Sequence, residues 1–408
     1  MNTLKSLLRG NARQYGMVIA LAALVIFFQF QTDGVLLRPL NVTNLLTQNA
    51  SILILAVGMV IVIVARHIDL SVGSVAAFTG AVGAILMSKH DVPWLLAVVI
   101  CLAIGLAIGA WHGFWVAYVG IPAFIVTLAS MLIFRGLTTV VLDGATVGSL
   151  PENFLKMGNG FLPNTNITLV LGALLCLLLV VLEFRERASA VKYNFDVTPA
   201  PLFYAKLVAL VVVIMAFAWR LADYRGLPIV GLILFALIGI YSFVTQRTIT
   251  GRHVYAIGGN VDAATMSGVR TKRIDFLVMA NMGMLAALAG LVTAARLTAA
   301  NPKAGTNYEL DAIAAAFIGG AAVTGGVGTV VGAIIGGLVM GVLNNGMSLM
   351  GVSIDWQQTV KGLVLLAAVA FDVWNKRRTA GGGGAGAEEA TPPPPTALAE
   401  ELSAPAGA

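Results

Sequence analysis

Apolar runs of about 20 residues, separated by short polar interruptions, fill the chain from Met17 to Val373. A helix of that length spans the ~30 Å hydrocarbon core of a bilayer. The runs lie at about 17–30, 46–65, 70–87, 95–116, 121–141, 168–182, 201–222, 227–244 and 276–295, followed by a Gly-dense region at 319–351 and a last run at 359–373. The expected fold is an all-α polytopic membrane protein with about 10–12 transmembrane helices, some broken or Gly-rich. Twelve crossings follow if 310–323 is a short crossing segment, and ten if the pair around 183–222 is an addition to a smaller core.

One polar stretch breaks this pattern. Between two apolar runs lies a basic loop at 250–273, and part of it reads as helix. Asn260 is a good N-cap, Asp262 places negative charge in the first turn, Ala263 and Ala264 favour helix, and Gly268 closes it as a C-terminal cap. From Val261 to Ser267 such a helix is roughly 10 Å long. It is marginal alone and needs a partner surface.

Charge sets the orientation. The chain is 58% hydrophobic and 11% charged, far more apolar than a soluble domain, with a net charge of +6. Loops assigned inside hold Lys5, Arg9, Arg13, Arg66, Arg185, Arg187, Lys192, Arg247, Arg252, Arg270, Lys272, Arg273, Lys376, Arg377 and Arg378. Those assigned outside hold only Arg38, Lys89, Lys156, Arg225, Arg296 and Lys303, so the basic excess reflects topology rather than nucleic-acid binding, and both termini are cytoplasmic. The segments are a cytoplasmic N-terminus (1–16), a permease-like domain (17–378) and a disordered cytoplasmic tail (379–408) rich in Gly and Pro. No small-residue cleavage site follows the first run, which reads as a retained helix. Cys101 and Cys176 lie inside apolar runs and read as small core residues. Trp94, Trp219, Trp356 and Trp374 fall near predicted interfaces, as in an aromatic belt.

Three constellations stand out. Gly328, Gly332 and Gly336, continued by Gly337 and Gly341, recur at four-residue spacing and suit close helix packing. Asp69, in Ile68-Asp69-Leu70-Ser71-Val72-Gly73-Ser74, puts a carboxylate beside an apolar run, where full membrane depth costs about 2.5–3.5 kcal/mol. Its simplest role is N-cap of the following helix, bonding near Ser71 and Val72, with gating as the alternative for Asp69 and Ser71. Arg135, Asn344, Asn345, Asp355, Gln357, Gln358 and Lys361 lie within or beside apolar helices, and packing or interfacial anchoring accounts for most such residues. Of these, Arg135, Asn344 and Asn345 are pathway candidates, the asparagines because neutral donors and acceptors suit sugar hydroxyls.

The motif around Asp69, the stretch Ile121–Leu128 with Phe134-Arg135-Gly136, the loop from Gly251-Arg252 to Ser267-Gly268, and Thr324–Thr329 with Asn344-Asn345-Gly346 resemble the permease subunits of bacterial monosaccharide ABC importers. The likeness covers nearly everything from Gln14 to Lys376 and is nearest the xylose and multiple-sugar branch. It implies a homodimer in the bacterial inner membrane, a cytoplasmic ABC ATPase docked on the central loop, and a periplasmic or lipid-anchored sugar-binding protein. By the same resemblance, Gly251, Arg252, Asn260, Asp262, Ala263, Ala264, Ser267 and Gly268 serve ATPase coupling. Arg66 departs from the pattern, since Gly usually precedes His-Ile-Asp-Leu-Ser-Val-Gly, and Thr265 sits where a larger or basic side chain is common.

No cofactor is expected on this chain. No Gly-x-x-x-x-Gly-Lys-Ser/Thr occurs, so ATP and Mg²⁺ belong to the partner ATPase. His67, His90, His112 and His253 are scattered without metal-ligand spacing, and no nucleophile and base pair marks an enzyme. An ion-coupled secondary transporter of small polar solutes is the alternative. It would more often carry an intramembrane ionic group for coupling, and it leaves the elaborate cytoplasmic loop unexplained.

Overall fold

The computed structural model describes residues 2–195 and 197–381. In chain order the helices are α1 (Asn2–Gln31), α2 (Pro39–Val64), α3 (Val72–Ser88), α4 (Trp94–Phe114), α5 (Ala123–Val141), α6 (Glu152–Asn159), α7 (Thr165–Lys192), α8 (Ala200–Ala222), α9 (Ile229–Arg247), α10 (Ile249–Gly259), α11 (Val261–Met266), α12 (Thr271–Leu297), α13 (Tyr308–Ile318), α14 (Val330–Leu349) and α15 (Ile354–Gly381). Among the described residues eight helices are long and apolar enough to cross a membrane, and shorter apolar helices include α3. The all-α polytopic expectation holds. The chain divides into a body, Met1–Leu365, and a C-terminal unit from Leu366. The expected tail falls mostly outside the described residues.

The body is built around α2 and α12, both buried on most sides. Close approach is made possible by small residues. Gly105, Gly109 and Gly113 on α4 lie against Gly283, Ala280 and Phe276 of α12, so any added Cβ would strike that helix's backbone. On the other side Thr293 of α12 donates to the Ser51 hydroxyl of α2 at 2.8 Å. Helix α3 packs on α12, with Gly80 against Gly290. By contrast α7 and α8 pack chiefly on each other and expose most of their apolar surface.

Several boundaries differ from expectation, each for a local reason. The charged run Glu183–Lys192, expected as an inner loop, is the last part of α7. Glu, Arg, Ala and Lys are good helix formers, so the helix continues about three turns beyond its apolar stretch. Lys206 on α8 holds Glu183 at 2.6 Å and Arg187 stacks over Phe203 at 4.5 Å, which braces the overhang. The long outer loop before α7 contains α6. There Asn159 donates through its amide to Ala295 O and Arg296 O, both at 3.0 Å, filling carbonyls left open at the end of α12.

The Gly-dense region is not one continuous helix. Helix α13 stops at Ile318, residues 319–329 are irregular, and α14 restarts behind Thr329, whose hydroxyl accepts from Gly332 N at 3.0 Å. Gly332 and Gly336 pack against Gly319 and Ala315 of the preceding segment, as their spacing predicts. Gly328 lies before the helix, in the irregular stretch, so the one-face expectation fails at that position.

Candidate functional site

The loop expected on the cytoplasmic side folds as two short helices rather than one. Thr248 caps α10 by accepting from Gly251 N at 3.2 Å, and the helix runs from Ile249, starting a residue before the expected loop. Gly251 packs against Val244 O and Thr245 O of α9, so it is a packing glycine, whereas Arg252 is exposed. Asn260 then caps α11 as expected, accepting from Ala263 N at 3.0 Å. At the far end Gly268 takes φ +82°, with Gly268 N bonding Thr265 O and Val269 N bonding Ala264 O, both at 3.0 Å. This is a Schellman-type stop, and glycine meets its left-handed requirement at no steric cost.

The faces of α11 separate its residues. Ala264 is only 5% exposed and packs into the main core, so it seats the helix on its own chain. Asp262, Ala263, Thr265, Met266 and Ser267 face outward. Met266 is 89% exposed, the most exposed of the large apolar side chains along the described body. Sequence reasoning passed over it. Its signal is a flexible, adaptable apolar residue within an otherwise small and polar segment.

A second polar group lies deep in the body. Asp69 is fully buried and accepts from Ser71 N at 2.8 Å and from the Ser71 hydroxyl at 2.6 Å. The helix begins only at Val72, so Asp69 closes an Asx turn ahead of α3 instead of capping its first turn, and Ser71 occupies the N-cap position. His112 of α4 is likewise fully buried, with neither ring nitrogen hydrogen-bonded among the described residues. Thr127 and Ser130 of α5 complete the buried polar wall, and Thr127 donates to Ile68 O at 3.3 Å. His112 had been grouped with the scattered histidines; only the tertiary structure shows it fully buried.

The same depth holds a set of opposed charges. Glu309 and Asp311 were expected in an outer loop, yet both are buried in the first turn of α13, where acidic residues complement the helix dipole. Arg135 of α5 donates to Ala304 O at 2.7 Å and Pro302 O at 3.3 Å, and Glu309 Oε2 is buried with no hydrogen-bond partner among the described residues. Lys361 of α15 meets Asp311 at 3.0 Å, with side chains 18% and 11% exposed. The loop at 298–307 therefore folds back against α5, and Gly305 packs on Gly73 of α3. These groups offer both donors and acceptors, the chemistry that a polyhydroxylated solute requires.

The expected asparagine pair divides. Asn345 exchanges amide hydrogen bonds with Asn41 of α2, at 2.7 and 3.1 Å, and ties α14 to α2. Asn344 is half-buried, and its side-chain oxygen has no hydrogen-bond partner among the described residues.

Comparison with known proteins gives this arrangement a family. Residues 41–369 match the family described as "Branched-chain amino acid transport system / permease component". The chain belongs to that family. It is 42% identical over 376 residues to the xylose transport system permease protein XylH of Escherichia coli K12, covering 92% of this chain and 95% of that one. To XylH of Haemophilus influenzae it is 40% identical over 368 residues, covering 90% and 98%. To the ribose import permease protein RbsC of E. coli K12 it is 38% identical over 338 residues, covering 83% and 86%. No solved structure matches it. The chain is thus a multi-pass transport-system permease component, and α11 and the charged cluster are its candidate coupling and pathway elements.

Proposed function

We propose that this chain is the membrane-spanning subunit of an ATP-driven importer for xylose or a closely related monosaccharide. The observation that carries this reading is 42% identity along 95% of a xylose permease. A cytoplasmic ABC ATPase binds the outward side of α11, two copies of the chain enclose the pathway in the bacterial inner membrane, and a periplasmic or lipid-anchored sugar-binding protein delivers the substrate. ATP and Mg²⁺ are held by the ATPase.

Transport follows alternating access. Closure of the ATPases on ATP moves α11 through its exposed edge at Asp262, Ala263, Met266 and Ser267, and the dimer opens outward. Hydrolysis returns it inward. Sugar passes the polar groups around α13 and Asn344, which make transient hydrogen bonds to its hydroxyls. The buried carboxylates Glu309 and Asp311 would suit an ion-coupled carrier, but Asp311 is paired with Lys361 at 3.0 Å, and identity along 95% of a xylose permease favours the ATP-driven reading.

Uptake of radiolabelled xylose into proteoliposomes tests the reading. Uptake should require ATP, the ATPase and the sugar-binding protein together, and should fall to background when any one is omitted. Uptake by this chain alone, driven by an ion gradient, would overturn it.

A further inference from the structure

Three breaks in the chain meet at one point on the cytoplasmic side, directly behind α11. The end of α2 contributes Val64, the end of α10 contributes Gly258 and Gly259, and the irregular stretch before α14 contributes Gly325 and Gly326. Gly326 N bonds Val64 O at 2.9 Å. A Cβ at Gly258 would collide with both Val64 O and Gly326, so three backbones touch with no side chain between them. Each strand of this junction leads to a functional element: Val64 towards the Asp69 turn, Gly259 to the Asn260 cap of α11, and Gly325 back to α13 with its buried charges.

Two side chains cross the junction: the Tyr255 hydroxyl of α10 donates to Gly328 O at 2.6 Å, and Arg66 reaches both other segments. Arg66 takes φ +69°, a left-handed conformation that a non-glycine residue rarely adopts. From there its Nε donates to Thr324 O at 3.0 Å, and its Nη2 reaches Gly259 O at a longer 3.5 Å. Its Cγ sits where a Cβ of Gly325 would lie. A strained backbone is kept at a position whose side chain joins the other two segments, and such strain persists where the surroundings over-determine it. The guanidinium suits this task because its fork holds two acceptors in fixed directions, which an ammonium does not.

We infer that Arg66 is a positioning residue that transmits displacement of α11 to the two broken membrane segments. The inference rests on the coupling role given above to α11. When α11 moves, Gly259 moves with it, and the Arg66 fork carries that shift to Thr324 and to the turn leading to Asp69. The acceptors are the backbone carbonyls of Thr324 and Gly259, so the guanidinium of residue 66 adds a link to both segments on top of their direct backbone contact.

The test compares Arg66→Gly and Arg66→Lys with the unaltered chain, each reconstituted with its ATPase and sugar-binding protein. Xylose imported and ATP hydrolysed are measured together, and thermal unfolding is measured in detergent. Arg66→Gly removes the left-handed strain, so its Tm should equal or exceed that of the unaltered chain. Its hydrolysis should continue while xylose imported per ATP falls about tenfold, the scale of one lost charge-assisted hydrogen bond. Arg66→Lys, which keeps charge and strain but not the fork, should fall in the same direction by less. Unchanged xylose per ATP in Arg66→Gly overturns the inference. So does a collapse of its Tm with loss of both activities, which would make Arg66 a structural staple. A drop in Arg66→Lys alone would also overturn it, pointing to backbone strain. Failure of the unaltered chain to import would instead sink the importer reading.

Discussion

At the scale of single residues, burial decides what each polar group can do. Lys361 and Asp311 are close together and mostly shielded, so removing one partner strands the other. Breaking a buried pair in this way costs about 3–5 kcal/mol, whereas replacing both partners by apolar groups is often near neutral. Lys361→Met should therefore lower the Tm in detergent clearly, and Lys361→Met with Asp311→Leu should recover most of the loss. A double variant no more stable than the single one would show that the two charges do not act as a pair. Ala264 illustrates the same rule in another form. A bulky charged residue there would unseat α11 from the core it packs against, so loss of transport by such a variant would not by itself locate the ATPase contact. Met266, on the outward side, is the position to change for that purpose.

At the scale of elements, α11 depends on its ends. It is six residues long, too short to be stable by propagation, and is fixed by Asn260 at one end and Gly268 at the other. Asn260→Ala removes the bond to Ala263 N and should cost about 1 kcal/mol locally. Hydrogen exchange at the Ala263 and Ala264 amides should accelerate roughly fivefold, with little change in global Tm. Unchanged exchange would mean that packing through Ala264, rather than the cap, holds the helix. The cap and the stop were legible in sequence because both are local chemistry within one turn. Helix α13 was legible only as an optional short crossing at 310–323, since its 11 residues are too few to mark a full span and its acidic turn reads as solvent-exposed loop.

At the scale of the whole molecule, the alternation of spans with the basic excess on one side fixes an orientation that can be measured. Cys101 and Cys176 are buried and give little background for single-cysteine labelling. Met266→Cys should react with a membrane-impermeant maleimide only in inverted vesicles. Lys89→Cys, exposed between α3 and α4, should react only from the outer side of intact cells. The opposite pattern would reverse the orientation and remove α11 from the reach of a cytoplasmic ATPase. The resemblance read from four separated motifs led to the family that comparison then found, because those motifs span most of the chain.

Sequence alone determined the class, the approximate apolar runs, the short helix α11 with its caps and the family likeness. Each of these depends on hydropathy, charge bias or residue types within a few positions of one another. Tertiary structure decided the rest. It turned Asp69 from a helix cap into the closing residue of a buried turn, moved Glu309 and Asp311 from an outer loop into the protein, and tied Asn345 to Asn41. It also pointed Ala264 inward and brought Arg66 to Thr324 and Gly259. These facts involve partners far apart in the chain, and a side chain's hydropathy does not reveal whether an opposite charge or a carbonyl waits at its tip. Even where the sequence carried a signal, as in Gly105, Gly109 and Gly113 on α4, only the packing of α12 against them shows what the spacing is for.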